Sequence, residues 1–482
     1  MKILFIAAEV APFAQTGGLA DVAGSLPKAL AGLGHDVRIV MPAYRLIEHA
    51  TTDRRWAIAP HPTTLQVPVD GTLLPAGVLH AELPGSHVPV YFIAERNLLG
   101  RDGIYGYNDD PYRFAFFGRA ALDLVVAAFG WHPDIVHAHD WHAAAAVFWL
   151  ATAGSFDPRY ARLPTVLTVH NLQHQGRTSR DILRYLGIGN GSLREEGFGE
   201  INLLARAIYY ATMISTVSPT YAREILTPEG GAGLDGLLRY REYDVHGIVN
   251  GIDAELWNPA TDPRLAARFD ADRLAERRDN KRALQARLRL PVRDDVPLVA
   301  MVSRLDNQKG LDITGHVVHL LLNQHAGEAQ FVVLGSGAAA YEDMLRHLSG
   351  YHQYSMSAVF GHDSALASLI YASSDVFVMP SRWEPCGLGQ LLAMRYGSVP
   401  VVRSTGGLAD TVHDGVTGFT FRDYSADAFW DALRRALTTY RDDPVAWTAM
   451  QRAGMRRDWS WTVSARAYEQ VYEWAAARVR GG

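Results

Sequence analysis

The sequence predicts an α/β protein of two doubly wound domains, each a parallel sheet covered by helices. Three observations carry this expectation. Short apolar runs alternate with longer helical patterns over most of the chain, the alternation restarts in the second half, and 482 residues exceed what one ordinary core encloses.

The elements follow in order. Ile3 to Ala8 is an apolar run that reads as a buried first strand; it is too short for a membrane span, and Glu9 and Pro12 end it. A Gly-rich turn and a helical stretch from Leu19 to Leu33 follow, Gly34 stops the helix, and Val37–Met41 is the next strand. Ile135–Ala138, Thr165–Val169 and Met213–Val217 continue the series. Residues 254–296 are poor in apolar runs, and Arg277-Arg278-Asp279-Asn280-Lys281-Arg282 reads as an exposed, helix-rich surface. Pro297–Val302 opens the second series, continued by Phe331–Leu334, Ala358–Phe360, Val376–Met379 and Val399–Val402. The boundary is expected near 250–260, where Asn250-Gly251 and Asn258-Pro259 supply turn chemistry. A last helix, about Val463 to Arg480, has Tyr468, Val471, Tyr472 and Ala475 at helical spacing and could pack on either domain.

Composition removes several function classes. The apolar fraction is 48%, the charged fraction 20% and the formal net charge −5, so nothing points to nucleic acid or an anionic membrane. Cys386 is the single cysteine, which excludes an internal disulfide and the usual cysteine zinc clusters and fits a reducing cytoplasm.

Six segments at strand ends carry candidate chemistry. Gln15-Thr16-Gly17-Gly18-Leu19-Ala20-Asp21 combines two glycines with a helix start, either a tight turn or a cradle for phosphate, without the G-x-G-x-x-G spacing of dinucleotide sites. Ser404-Thr405-Gly406-Gly407-Leu408-Ala409-Asp410 repeats it in the second half. Arg304 and Lys309, after the first strand of the second domain, could converge on a diphosphate and neutralise charge on a leaving group. Glu384 sits in the turn Trp383-Glu384-Pro385-Cys386-Gly387-Leu388, where a carboxylate can accept from sugar hydroxyls or face solvent; Leu392, eight residues on, supplies no second carboxylate. Cys386 lacks a nearby histidine and reads as a buried small residue. In His137-Ala138-His139-Asp140-Trp141-His142, strand alternation would send His137 and His139 to one face and Asp140 and His142 to the other, which argues against a zinc site. Asp140 is the candidate for a sugar hydroxyl or a developing positive charge; His170-Asn171, with Gln173 and Gln175 beside it, ends another strand as either a local cap or a ligand.

Together these segments resemble the bacterial glycogen synthases and plant starch synthases of glycosyltransferase family 5. The resemblance runs from Met1 nearly to the C-terminus and rests on their order, with Val-Asn-Gly-Ile-Asp at 249–253 among them. It implies the GT-B architecture: an acceptor-side domain over 1–253, a donor-side domain over 254–460, a deep cleft between them, and a helix over 461–482 returning to the first. It implies transfer of glucose, with retention and without a metal or other cofactor, from a nucleoside diphosphate glucose to the 4-hydroxyl at the non-reducing end of an α-1,4-glucan such as glycogen. ADP-glucose is the favoured donor and UDP-glucose the alternative. By the same resemblance Arg304, Lys309 and the backbone of Gly17, Gly18, Gly406 and Gly407 hold the diphosphate, Glu384 binds glucose hydroxyls, His170 and Asn250 lie near the glucose, and Asp140 lies near glucose and acceptor. Asp21, Asn171, Cys386, Gly387, Leu388 and Thr405 complete the expected substrate contacts. Two positions depart from the family: Gln15 stands where lysine is usual, and His362 where a base-stacking tyrosine is usual. Competing readings are a related transferase with a small acceptor and a non-catalytic nucleotide- or glucan-binding protein.

Overall fold

The computed structural model describes residues 1–53, 56–189, 200–324 and 329–481. The chain divides into two compact units, Met1–Gly251 with Trp461–Gly482, and Ile252–Ser460.

The first unit is built on a nine-stranded sheet among the described residues. Its strands are β1 (Lys2–Ile6), β2 (Asp36–Pro42), β3 (Ala59–Val69), β4 (Thr72–Glu82), β5 (Pro89–Ala94), β6 (Ile135–His139) and β7 (Thr165–Val169), then, past a separate antiparallel pair β8 (Arg177–Ser179) and β9 (Glu200–Asn202), β10 (Met213–Thr216) and β11 (Val245–Gly247). The order is β11-β10-β7-β6-β1-β2-β5-β4-β3. All neighbours pair in parallel except β3 with β4 and β4 with β5. The central strands β1, β6 and β7 are buried along almost their whole length, as expected of a parallel sheet covered on both faces.

The antiparallel arm β3–β5 was not among the expected strands. β3 carries Pro60, Pro62 and Pro68 and buries only alternate residues, Leu65, Val67 and Val69. Proline removes ladder donors, so such a strand is tolerated only where pairing on one side is dispensable, and β3 is the sheet's edge. The last helix, Trp461–Gly481, packs Trp461, Tyr468, Val471 and Tyr472 into the core of this first unit.

The second unit holds six parallel strands: β12 (Leu298–Val302), β13 (Gln330–Gly335), β14 (Met356–Phe360), β15 (Val376–Met379), β16 (Val399–Arg403) and β17 (Phe419–Phe421). Their order, β14-β13-β12-β15-β16-β17, is the 3-2-1-4-5-6 sequence of a dinucleotide-type doubly wound sheet.

The charged run at 277–282 corrects the expectation of a fully exposed surface. It begins the helix Arg277–Arg287, which buries Arg277, Asn280, Lys281 and Leu284 along one stripe. The buried charges are satisfied there: Arg277 donates to the carbonyls of Tyr396 and Ser374, and Lys281 Nζ donates to Asp375 at 2.7 Å and to the Val296 carbonyl at 2.6 Å. No helix among the described residues is long and apolar enough to cross a membrane.

Candidate active site

In doubly wound sheets ligands gather at the carboxyl ends of the strands where the strand order reverses. In the second unit that point lies between β12 and β15. β12 leads into Ser303–Gly310 and β15 into Pro380–Leu388, so topology alone brings Arg304, Lys309 and Glu384 to one place.

The side chains of Lys309 and Glu384 meet there. Lys309 Nζ donates to Glu384 Oε2 at 2.5 Å, and Ser381 Oγ donates to the same oxygen at 3.0 Å. Glu384 is buried and Lys309 nearly so. Arg304 is different: its side chain is 60% exposed, tethered by Asp306 at 3.0 Å and by Gln308 Oε1 at 3.0 Å. Gly310, at φ +75°, lets the backbone pass Pro380, whose carbonyl oxygen an added Cβ would meet at 2.1 Å. That contact fixes the Lys309 loop against the Glu384 loop.

The second glycine pair has a structural duty here. A Cβ on Gly406 would lie 2.0 Å from the Glu384 carbonyl oxygen, and one on Gly407 2.2 Å from that of Cys386. The Gly407 N–H, expected on the diphosphate, donates to the carbonyls of Glu384 and Pro385. Thr405 and Gly406 are likewise buried, at the start of the helix Gly406–Thr411. Cys386 is buried, and Gln390, which sequence reasoning did not single out, ties the carbonyls of Cys386 and Gly387 to Thr411 Oγ1. Leu388 is partly buried, and His362 is exposed just beyond β14.

In the first unit the order reverses between β1 and β6. β1 leads to Glu9 and the Gln15–Gly18 turn, and β6 ends at His139 with Asp140 opening the next helix. The alternation expected past His139 therefore stops: only His137 and His139 share a strand face, their rings 4.2 Å apart. Asp140 adopts φ +54°, a left-handed conformation that costs a non-glycine residue energy and collects at functional sites. Its Oδ1 accepts the His170 N–H at 2.7 Å, which ties β6 to β7. Burial pushes its carboxyl up to about 7, partly offset by the backbone donors of His170 and Asn171.

Glu9 was the main omission. Its carboxylate accepts from the backbone N–H of Thr16 and, at 3.1 Å, from that of Gly17, while Tyr105 donates its hydroxyl to the other oxygen. One donor expected on phosphate, the Gly17 N–H, is thus held by an internal carboxylate. A buried acid closing an apolar strand was the signal available for Glu9; Tyr105 gave only an aromatic residue beside Gly106. Gly17 and Gly18 have no atom within 4 Å of an added Cβ, so their surface is open, unlike that of Gly406 and Gly407. Gln15 donates to Asp21 Oδ1 at 3.1 Å, and burial, followed by the charge of Glu9, raises the Asp21 carboxyl to about 6 despite that bond.

The four histidines here, His137, His139, His142 and His170, lie with their rings against one another or against aromatic neighbours. Burial holds His137, His139 and His142 well below the usual histidine range and His170 at about 3. His137 bonds Thr168 and Tyr472, His139 bonds His170, and His142 stacks on Tyr105 at 4.6 Å. Asn171 is half-buried; Asn250 is buried, with an enclosed Oδ1 that has no partner among the described residues. The segment that follows His170 lines a cavity of about 480 Å³ through Gln173, His174, Gln175 and Arg177, with Trp141 as its one flat apolar ring.

Known proteins match this arrangement over its whole length. The family described as starch synthase catalytic domain matches residues 2–240, and glycosyl transferases group 1 matches residues 285–449. A glycogen synthase of Moorella thermoacetica is 45% identical, covering 100% of this chain and 98% of its own. Glycogen synthase 2 of Geobacter sulfurreducens is 44% identical over 100% of both chains. The catalytic domain of starch synthase IV from Arabidopsis thaliana, solved with ADP and acarbose, gives a TM-score of 0.90 at 36% identity over 99% of each chain. Sucrose-phosphate synthase from Thermosynechococcus elongatus, at 19% identity and a TM-score of 0.61, shares the fold. The chain belongs to the glycogen synthase and starch synthase family, glycosyltransferases of the GT-B fold.

Proposed function

We propose that the chain transfers glucose from ADP-glucose to the non-reducing-end 4-hydroxyl of an α-1,4-glucan, with retention and without a metal or other cofactor, in the cytoplasm. The observation that carries the reading is the Lys309–Glu384 pair at the switch point of a dinucleotide-type sheet, with the Arg304 guanidinium exposed beside it. In this reading Arg304 and Lys309 neutralise the diphosphate as charge grows on it. Lys309 and Ser381 both donate to Glu384 Oε2, and in this reading Oε1 accepts from glucose hydroxyls. Asp140, His170 and Asn250 are read as contacts to the glucose or the acceptor, and the Trp141 cavity suits a glucan, whose sugar faces stack on rings and whose hydroxyls bond amides.

The bond from glucose C1 to the diphosphate oxygen breaks as the bond from C1 to the acceptor oxygen forms on the same face. The acceptor's proton passes to the departing diphosphate, so no protein base is required. Support for adenine comes from the starch synthase IV relative, which was solved with ADP. Turnover of radiolabelled ADP-glucose and UDP-glucose with glycogen tests the proposal. Labelled polymer formed faster from ADP-glucose is expected; label on small acceptors alone, or no turnover, overturns it.

A further inference from the structure

His170 is held by a second histidine that the reaction itself leaves unused. His139 Nδ1 lies 3.0 Å from His170 Nε2, with the rings stacked at 5.3 Å and 29°. Both rings are neutral at physiological pH, because burial disfavours the imidazolium. A neutral imidazole has one N–H and one lone pair, so one ring must donate and the other accept.

The surroundings of His139 decide which. Its Nε2 is enclosed by protein and has no hydrogen-bond partner among the described residues. An orphaned buried N–H is rarer than an under-satisfied acceptor. The proton of His139 therefore belongs on Nδ1, where it is bonded. His139 cannot readily turn to choose otherwise. Its ring lies against Phe5 at 5.1 Å and against His137 at 4.2 Å, and His137 is itself pinned on both nitrogens, by Thr168 Oγ1 at 2.6 Å and the Tyr472 hydroxyl at 2.8 Å.

We propose that His139 is a positioning residue that donates to His170 Nε2 and so fixes the proton of His170 on Nδ1, making that nitrogen a hydrogen-bond donor to a glucose oxygen. The proposal rests on the reading of His170 as a glucose ligand. It adds a direction: His170 offers an N–H to a lone pair on the sugar and takes no proton from a hydroxyl. It also gives the buried histidine a task that any apolar residue of similar size would fail.

The test uses the full chain with ¹⁵N-histidine. Long-range proton–nitrogen correlation separates the two neutral tautomers, and loss of signals in His170→Ala assigns the ring. An Nδ1-protonated His170 is expected; an Nε2-protonated ring overturns the relay without need of any variant at 139. In parallel, His139→Leu removes the donor, while His139→Asn keeps an amide N–H near the place of Nδ1. Turnover is expected to fall about tenfold in the leucine variant, the loss of roughly one good hydrogen bond, and largely to recover in the asparagine variant. Equal turnover in the two folded variants overturns the positioning role. His170→Ala with full activity would instead remove the underlying reading of His170, whatever its tautomer, so the two failures are separable.

Discussion

Gln15 Nε2 donates to Asp21 Oδ1 across 3.1 Å, so the amide that replaces the family's usual lysine is engaged by a desolvated carboxyl. A lysine there would form an ion pair with Asp21 and bring that carboxyl down from about 6. Gln15→Lys is expected to lower the Michaelis constant for ADP-glucose by up to about tenfold, the effect of ~1.4 kcal/mol from a charge-assisted bond. Kinetics with ADP-glucose and UDP-glucose check this. Unchanged constants for both donors would mean that position 15 does not touch the donor.

Arg304 and Lys309 separate catalysis from stability. Either alanine variant should slow transfer by about 100-fold, the scale of one preorganised electrostatic donor. Only Lys309→Ala strips a buried carboxylate, Glu384, of its cation, which costs about 3 kcal/mol of stability. Denaturant melts should show that loss for Lys309→Ala and almost none for the exposed Arg304→Ala. Near-normal turnover in both would remove them from the site.

The two glycine pairs should respond oppositely to one methyl group. Gly407→Ala drives a Cβ to within 2.2 Å of the Cys386 carbonyl and should lower the melting temperature together with turnover. Gly18→Ala meets nothing within 4 Å, so its melting curve should stay in place while its donor Michaelis constant rises. A destabilised Gly18→Ala would contradict the open surface assigned to that turn.

Asp140 makes stability depend on pH in a definite direction. Its carboxyl titrates near 7 in the folded protein and near 3.8 when unfolded. Between those values the folded state keeps a proton that the unfolded chain has released, so stability falls as pH rises through the window and levels off above about 7. Asp140→Asn cannot titrate. Its melting temperature relative to the parent should therefore climb from pH 5 to pH 8; parallel curves would show that Asp140 is not held protonated.

Tyr472→Phe removes the hydroxyl bonded to His137 Nδ1 and leaves a buried imidazole nitrogen unsatisfied. A loss of about 1–3 kcal/mol is expected in equilibrium unfolding. An unshifted transition would mean that the ring packing alone anchors the last helix.

Much of this was legible in the sequence where one chain segment decides the outcome. Thr165–Val169 and Val376–Met379 are strands over the very residues of their apolar runs, because a strand buried on both faces needs no alternation. Arg304, Lys309 and Glu384 could be picked out because each follows such a run. Their pairing could not, since Lys309 and Glu384 are 75 positions apart and only the sheet order brings them together. The Glu9–Tyr105 bond spans 96 positions, and although Glu9 closes an apolar run, no local pattern directs it to Tyr105. The helix at 277–287 misled for another reason: charge suggests solvent unless the carbonyls and Asp375 that receive Arg277 and Lys281 are already known.

The first unit is assembled from both ends of the chain, and this sets an order of events during synthesis. Trp461, Tyr468 and Tyr472 emerge from the ribosome after the whole second unit, long after the sheet whose core they complete. The second unit is continuous and can close its own core first. Until the last helix emerges, the N-terminal sheet lacks the aromatic residues that complete its core. A premature stop near the C-terminus would consequently be felt far back in the sequence, at the row of histidines that Tyr472 supports.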